Sequence, residues 1–430
     1  MLLTFLCLAF DDSARLPPNR SELFRQALEI LLYRWAAQKR VHDAPVYRDL
    51  HFRLEIAMLA EIAAPAFREG RYFFSRQELA EVVAKFLQEE MKAPRMLSGD
   101  QVLDAIEVQQ GLIVQRAHDR FSFSHLTLQE YLTAVWFEQN GKIDVLVGQG
   151  LKDERWREVF VLLAGLVGKA DSLLNQMAKG AERIVAEPAL GRIIRWASGR
   201  AVGVDDEMRT AARRAYAIVV LRDYAALSAV VDALERETVV DRARSLMRIV
   251  DRERLYDRLR ARSLVFGLDG GLQELLDTDS FVGCIVAGEK GFGDVVDSLR
   301  LPGYVDRMLA FFNAQGQGGV LCGKWGWAAS ELRMLKAKAL AIASPSDALM
   351  VWGSFRDVYA DVLEIPGELR EWSGEQSGLD EYFYVCRLIL ECRDSAASLS
   401  RASWDEICGR LLIAPQRLVT TTSSDRRPRK

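Results

Sequence analysis

Histidine is scarce in this 430-residue chain: there are 4, at positions 42, 51, 118 and 125, and all fall in the first third. The C-terminal two-thirds therefore has no imidazole to serve as a general base or a metal ligand, which excludes Cys-His catalysis there. Cysteine is sparse too, and the 6 residues at 7, 284, 322, 386, 392 and 408 show neither Cys-x-x-Cys spacing nor a nearby histidine. That pattern argues against zinc and predicts reduced, mostly buried thiols in a cytoplasmic protein. No Gly-x-Ser-x-Gly elbow occurs, and carboxylate pairs such as Glu89 and Glu90 sit in mixed-charge helices where solvation accounts for them. Gly318 to Lys324 spells Gly-x-x-x-x-Gly-Lys, but Trp325 stands where a Ser or Thr hydroxyl must reach a magnesium ion, and no β-branched strand leads into it. The chain by itself is not expected to be an enzyme, and no metal or cofactor is expected in it.

Charge of one sign is lacking as well. With 57 basic and 60 acidic residues the net charge is -3, so no global field draws the chain to nucleic acid or to an anionic membrane. Long apolar runs are absent. The opening run has no basic n-region and no small-residue cleavage site before Asp11 and Asp12, so it reads as a core helix. Val159 to Gly168 is far shorter than the roughly 20 residues a bilayer requires. No membrane span is expected.

What the chain does have is 50% hydrophobic residues, enough for several well-buried cores. Asn19 with Glu22 caps a helix whose apolar positions run from Leu23 to Trp35, closed by Lys39 and Arg40. Tyr47 to Ala63 follows as a second helix, which Pro65 is expected to stop. Two more capping boxes come next, Ser75 with Glu78 and Ser98 with Gln101, the latter helix ending at Gly111. Leu112 to Gln115 and Phe121 to Ser124 then alternate as strands around the polar turn Ala117 to Arg120. Three helices and a two-stranded wing make a winged helix. A DNA-reading winged helix needs a basic third helix, whereas this one carries Asp100, Asp104 and Glu107 and no basic residue between Ser98 and Gly111. Nucleic acid is therefore not the expected partner.

The second strand runs straight into a helix. Phe121, Phe123 and His125 alternate on one face, and Thr127 with Glu130 reads as a further capping box, which sets His125 beside unsatisfied helix N-terminal amides, a place where a phosphate can be held. This segment, with Phe123, His125, Thr127, Gln129, Glu130, Tyr131 and Ala134, resembles the Phe-x-His-x-(Ser/Thr)-Phe-Gln-Glu-Tyr-x-x-Ala motif of NACHT-type signal-transduction ATPases of the STAND class, with Leu128 in the place of Phe. Met1 to Leu8 resembles the back half of that family's Asn-Pro-Leu-Leu-Leu-Thr helix. Leu16-Pro-Pro-Asn-Arg-Ser-Glu-Leu23 resembles its Leu-Pro-x-x-Arg-x-Glu-Leu connection, and Asp153 to Val159 its Trp-Arg-Glu helix. More weakly, Leu379 to Tyr384 and Ala402 to Ile407 resemble a C-terminal helical module of prokaryotic members.

The residue patterns and the resemblance together give a mainly α fold: a helical-domain remnant at 1–45, a winged helix at 46–138 and a helical sensor region at 139–265, which shows no clean repeat but leaves a solenoid open. A Gly-rich connector or subdomain at 266–326, a helical bundle at 327–415 and a disordered tail at 416–430 follow. The arginine-rich stretch from Asp232 to Ser263 is interspersed with acids and reads as a solvated, salt-bridged face. By resemblance the chain is the regulatory and sensor portion of a signalling ATPase acting in prokaryotic defence against phages. The family's Walker A and Walker B elements are absent from this chain and would lie in a nucleotide-binding domain acting in cis or in trans. His125 would contact the β-phosphate of ADP on that domain, the complete protein would exchange ADP for ATP and oligomerise, and the helical region would sense a protein or other ligand. The alternative is a motorless helical interaction scaffold, with a winged-helix DNA-binding regulator ranked below both.

Overall fold

A computed structural model of the chain describes residues 2–38, 52–90, 112–200, 207–234, 325–341, 345–372 and 377–413. Within them the chain is mainly helical, with one two-stranded sheet, and it divides into two compact units, Met1–Gly180 with Val385–Ile407, and Ala181–Tyr384 with Cys408–Lys430.

The first unit opens with α1 (Leu2–Ser13) and α2 (Arg20–Gln38). The expected cap on α2 is present: Glu22 N donates to Asn19 Oδ1 at 2.8 Å. Replacing Asn19 by Ala should cost about 1 kcal/mol, read from the denaturant midpoint. Next come α3 (Phe52–Arg68) and α4 (Arg76–Glu90), the latter capped as expected by Ser75 Oγ, which accepts from Glu78 N at 3.2 Å.

Pro65 does not stop α3. It has no N–H to give, but its carbonyl still accepts from Glu69 N at 3.2 Å, and its ring lies in solvent while Ala66 and Phe67 are buried. The stop comes at Gly70, at φ +69, where Gly70 N donates to Phe67 O and Arg71 N to Ala66 O, a Schellman closure that only glycine enters without strain.

The wing is an antiparallel pair, β1 (Ile113–Ala117) and β2 (Arg120–Phe123), turned at Asp119 with φ 51. The Asp119 carboxylate accepts from Arg76 N at 2.9 Å, tying the turn to the start of α4. Phe74 and Phe121 exchange both backbone hydrogen bonds at 2.9 Å, which attaches the approach to α4 to the wing. Then follow α5 (Leu126–Gln139), α6 (Ile143–Gly150), a 3-10 turn at Glu154–Trp156, α7 (Arg157–Leu166) and α8 (Asp171–Val185). Helix α5 is the centre of the unit, packed on α3 and α7, and ten of its residues are buried in an unbroken run from Leu128 to Phe137. Trp156 fills the gap between them, edge-on to Phe67 at 5.0 Å and Phe137 at 6.0 Å.

The second unit contains α9 (Pro188–Gly199), α10 (Glu207–Leu234), α11 (Trp325–Leu340), α12 (Pro345–Val362) and the single turn α13 (Gly367–Arg370). The ranges of α14 (Ser377–Ser395) and α15 (Arg401–Arg410) complete the chain. Helix α10 packs on α9 and α12, and α12 on α11, around the fully buried Trp352 and Phe355. The end of the described chain is clasped: Leu412 N donates to Tyr382 Oη at 2.7 Å, Ser198 Oγ to Leu412 O at 3.1 Å, and Arg214 Nη1 to Leu411 O at 3.0 Å.

Cys386, Cys392 and Cys408 are buried free thiols and Cys7 is an exposed one. The segment 98–110 expected to form the third helix, Lys39 and Arg40, most of the arginine-rich stretch, residues 266–324 with the Gly318–Lys324 sequence, and the expected tail lie outside the described residues. Among the described residues no helix is long and apolar enough to cross a membrane.

Candidate functional site

The wing delivers its last residues to the start of α5 on a fixed path. Ser124 N donates to Leu112 O at 2.8 Å, one step beyond the strand pairing, and Arg116 straps the same corner, with Nη2 on Ser124 O at 2.9 Å and Nε on Ser122 Oγ at 3.0 Å. His125 follows as the N-cap itself, with extended backbone at φ -143 and ψ 145. Its carbonyl accepts from Leu128 N at 3.1 Å, while its imidazole makes no capping hydrogen bond and is exposed. Leu126, 51% exposed, lies directly beside it in sequence, and Phe73, 56% exposed, belongs to the segment that Gln129 holds against α5.

The capping box read from Thr127 and Glu130 is not formed. The helix starts two residues earlier than that box requires, with His125 and not Thr127 at the cap, and Glu130 is buried by tertiary packing instead of turning back to the helix end. The rest of the motif is structural. Gln129, 1% exposed, donates Nε2 to Arg71 O at 3.1 Å; Tyr131 stacks on Phe24 with ring centroids 5.3 Å apart; Ala134 is fully buried. Burial pushes the Tyr131 phenol well above its ordinary range, so it stays neutral. His125 is thus the motif's outward-facing member. An imidazole at the positive end of a 14-residue helix can donate N–H to an anion placed there.

An ion-paired joint between α2 and α7 lies elsewhere in the same unit. Arg20, at the start of α2, places Nη1 3.0 Å from Glu158 Oε2 on α7; Arg157 Nη1 lies 2.8 Å from Glu158 Oε1, and Arg157 Nε 2.8 Å from Glu391 Oε2. Ser21 Oγ donates to Leu162 O at 2.7 Å in the same contact. Burial first, and Glu158 second, push the Glu130 carboxyl up to about 7, with Arg20 opposing. Arg20 and Ser21 stand in the Leu16–Leu23 segment, Glu130 in the Phe123–Ala134 segment and Arg157 and Glu158 in the Asp153–Val159 segment, whereas Glu391 lies in none of them.

A β-wing that feeds through an N-cap into a buried helix fits a winged-helix domain. Residues 20–137 match the family model described as the winged helix-turn-helix domain C-terminal to NACHT. The match starts at α2 and ends in α5. No curated protein and no solved structure matches the chain.

Proposed function

We propose that the chain is the regulatory and sensor portion of a NACHT-type signalling ATPase, in which His125 contacts the β-phosphate of ADP and so clamps a nucleotide-binding domain shut. The observation that carries the reading is the exposed His125 imidazole at the N-cap of α5, while Phe123, Gln129, Glu130, Tyr131 and Ala134 of the same motif are buried. The family match supports it, since the domain at 20–137 is of the kind that lies C-terminal to NACHT. The chain itself catalyses nothing in this reading. It contributes a two-state element whose balance shifts when nucleotide and sensed ligand bind its two forms unequally. The helices after α5 sense a protein or other ligand, and the resemblance of the motifs makes defence against phages the biological setting.

With a NACHT nucleotide-binding domain supplied in cis, His125→Ala is expected to weaken ADP retention by about 1.5–3 kcal/mol, roughly 10- to 150-fold, because a hydrogen bond to charged phosphate is lost. Equilibrium dialysis with labelled ADP reads this directly. The melting temperature should hardly move, as the side chain is exposed. Unchanged ADP affinity together with a clear drop in melting temperature would assign His125 a packing role.

A further inference from the structure

Where the chain leaves α15, the last carbonyls have no partner within the helix and must be met from outside. Arg214 Nη1 of α10 donates to Gly409 O at 3.4 Å and Leu411 O at 3.0 Å, and the Ser198 hydroxyl of α9 lies 2.8 Å from Ile194 O and 3.1 Å from Leu412 O. Leu412 N donates to Tyr382 Oη of α14 at 2.7 Å. The two leucine side chains are buried, Leu411 at 2% and Leu412 at 0% exposure. Main-chain hydrogen bonds for hold and apolar pockets for side chains are the contacts by which a receptor takes up a peptide. All the clasping residues belong to the second unit.

Two observations separate this stretch from ordinary core. Leu412 stands at φ 59, the left-handed region that a residue with a branched side chain enters only under strain, so its conformation is imposed by the clasp. The helix that carries it is lightly buried: of the 10 residues of α15, only Ile407 and Cys408 are out of solvent, and the Arg410–Glu182 ion pair at 2.7 Å is partly exposed. A strained segment on an exposed tether can leave while the helices around it stay folded.

We propose that Gly409–Leu412 is an internal stand-in for a peptide, and that the seat formed by Ser198, Arg214 and Tyr382 takes a segment of another protein with two consecutive leucine-like side chains. The chain's own segment shows what the seat fits. Bonds to main-chain carbonyls and one amide select no polar side chain, while two buried leucines demand apolar ones. The stand-in holds the seat through the high local concentration of a tethered ligand, and the strain at Leu412 weakens that hold enough for an untethered rival to displace it. The proposal gives the sensed ligand a chemical class and rests on the sensor reading for its use. Its test needs no nucleotide domain, so its failure and that of the His125 contact are told apart.

The probe is a labelled synthetic peptide with the sequence of Glu406–Ile413, titrated into the full chain and followed by fluorescence anisotropy. Leu412→Pro should empty the seat, because proline holds φ at about -65° and has no N–H for Tyr382. This variant should bind the peptide at least about tenfold more tightly than the wild type, whose own segment fills the seat in all but about a tenth of molecules or fewer. A peptide N-methylated at its second leucine should lose that gain, having no amide hydrogen to donate. Equal affinity of wild type and variant, or of the two peptides for the variant, overturns the proposal. If Leu412→Pro does not fold, amide hydrogen exchange of the wild type decides. Corrected for intrinsic rates, the Leu412 amide should exchange at least about tenfold faster than that of Ile218 in the buried stretch of α10. A Leu412 amide that opens only together with α10 makes the segment part of the core and overturns the proposal equally.

Discussion

Phe24→Ala should destabilise the first unit by about 3–5 kcal/mol, the range for deleting a buried aromatic ring. Phe24 is 1% exposed, edge-on to Phe5 with centroids 5.2 Å apart, and stacked on Tyr131 at an interplanar angle of 17°. Its ring is where α1, α2 and α5 meet, and none of those neighbours is small or flexible enough to refill the hole. Urea unfolding followed by the fluorescence of Trp136 and Trp156, both nearly buried in the same unit, reports the loss. A shift corresponding to under 1 kcal/mol would mean that α1 and α2 are attached by something other than this ring cluster.

In the second unit the largest effect is expected from Asp380→Ala. The Arg222 side chain is 6% exposed, ion-paired with Asp380 and stacked 5.4 Å over the Phe383 ring. Removing the carboxylate strands a buried guanidinium, which costs about 3–5 kcal/mol, toward the lower end here because Asp380 itself is 34% exposed. The double change Arg222→Met with Asp380→Ala should recover most of the loss, since no buried charge is then left alone. Thermal unfolding of the two variants settles it: if the double variant is as weak as the single one, the pair is held by packing and not by charge.

What the sequence made legible was local. Asn19 and Ser75 were identified as caps because a cap lies within three residues of the amide it serves, and both hydrogen bonds are present. The wing was readable from phenylalanines alternating toward one face, and Phe121 and Phe123 are indeed buried. Pro65 misled because a proline on the solvent side of a final turn removes only one hydrogen bond, while the burial of Phe67 beyond it keeps the helix going. Glu130 misled for the opposite reason: its spacing from Thr127 fits a cap, yet the helix starts at His125 and tertiary packing buries Glu130. His125 was placed correctly at the junction of strand and helix, but its exposure depends on packing that no local pattern encodes.

The clasp around Leu412 bears on how the protein is made. Ser198 waits for a partner 214 residues further along the chain, and Arg410 Nε reaches back 228 residues to Glu182. Asn175, in the first unit, likewise meets Ser403 across 228 residues. On the ribosome, the helices around Glu182, Ser198 and Arg214 emerge long before residues 408–412 exist, so their polar ends and apolar flanks stay open while the intervening residues are made. Loops of that length are slow to close. These contacts therefore form only after α14 and α15 have left the exit tunnel, and until then the growing chain is in the exposed state that chaperones attend.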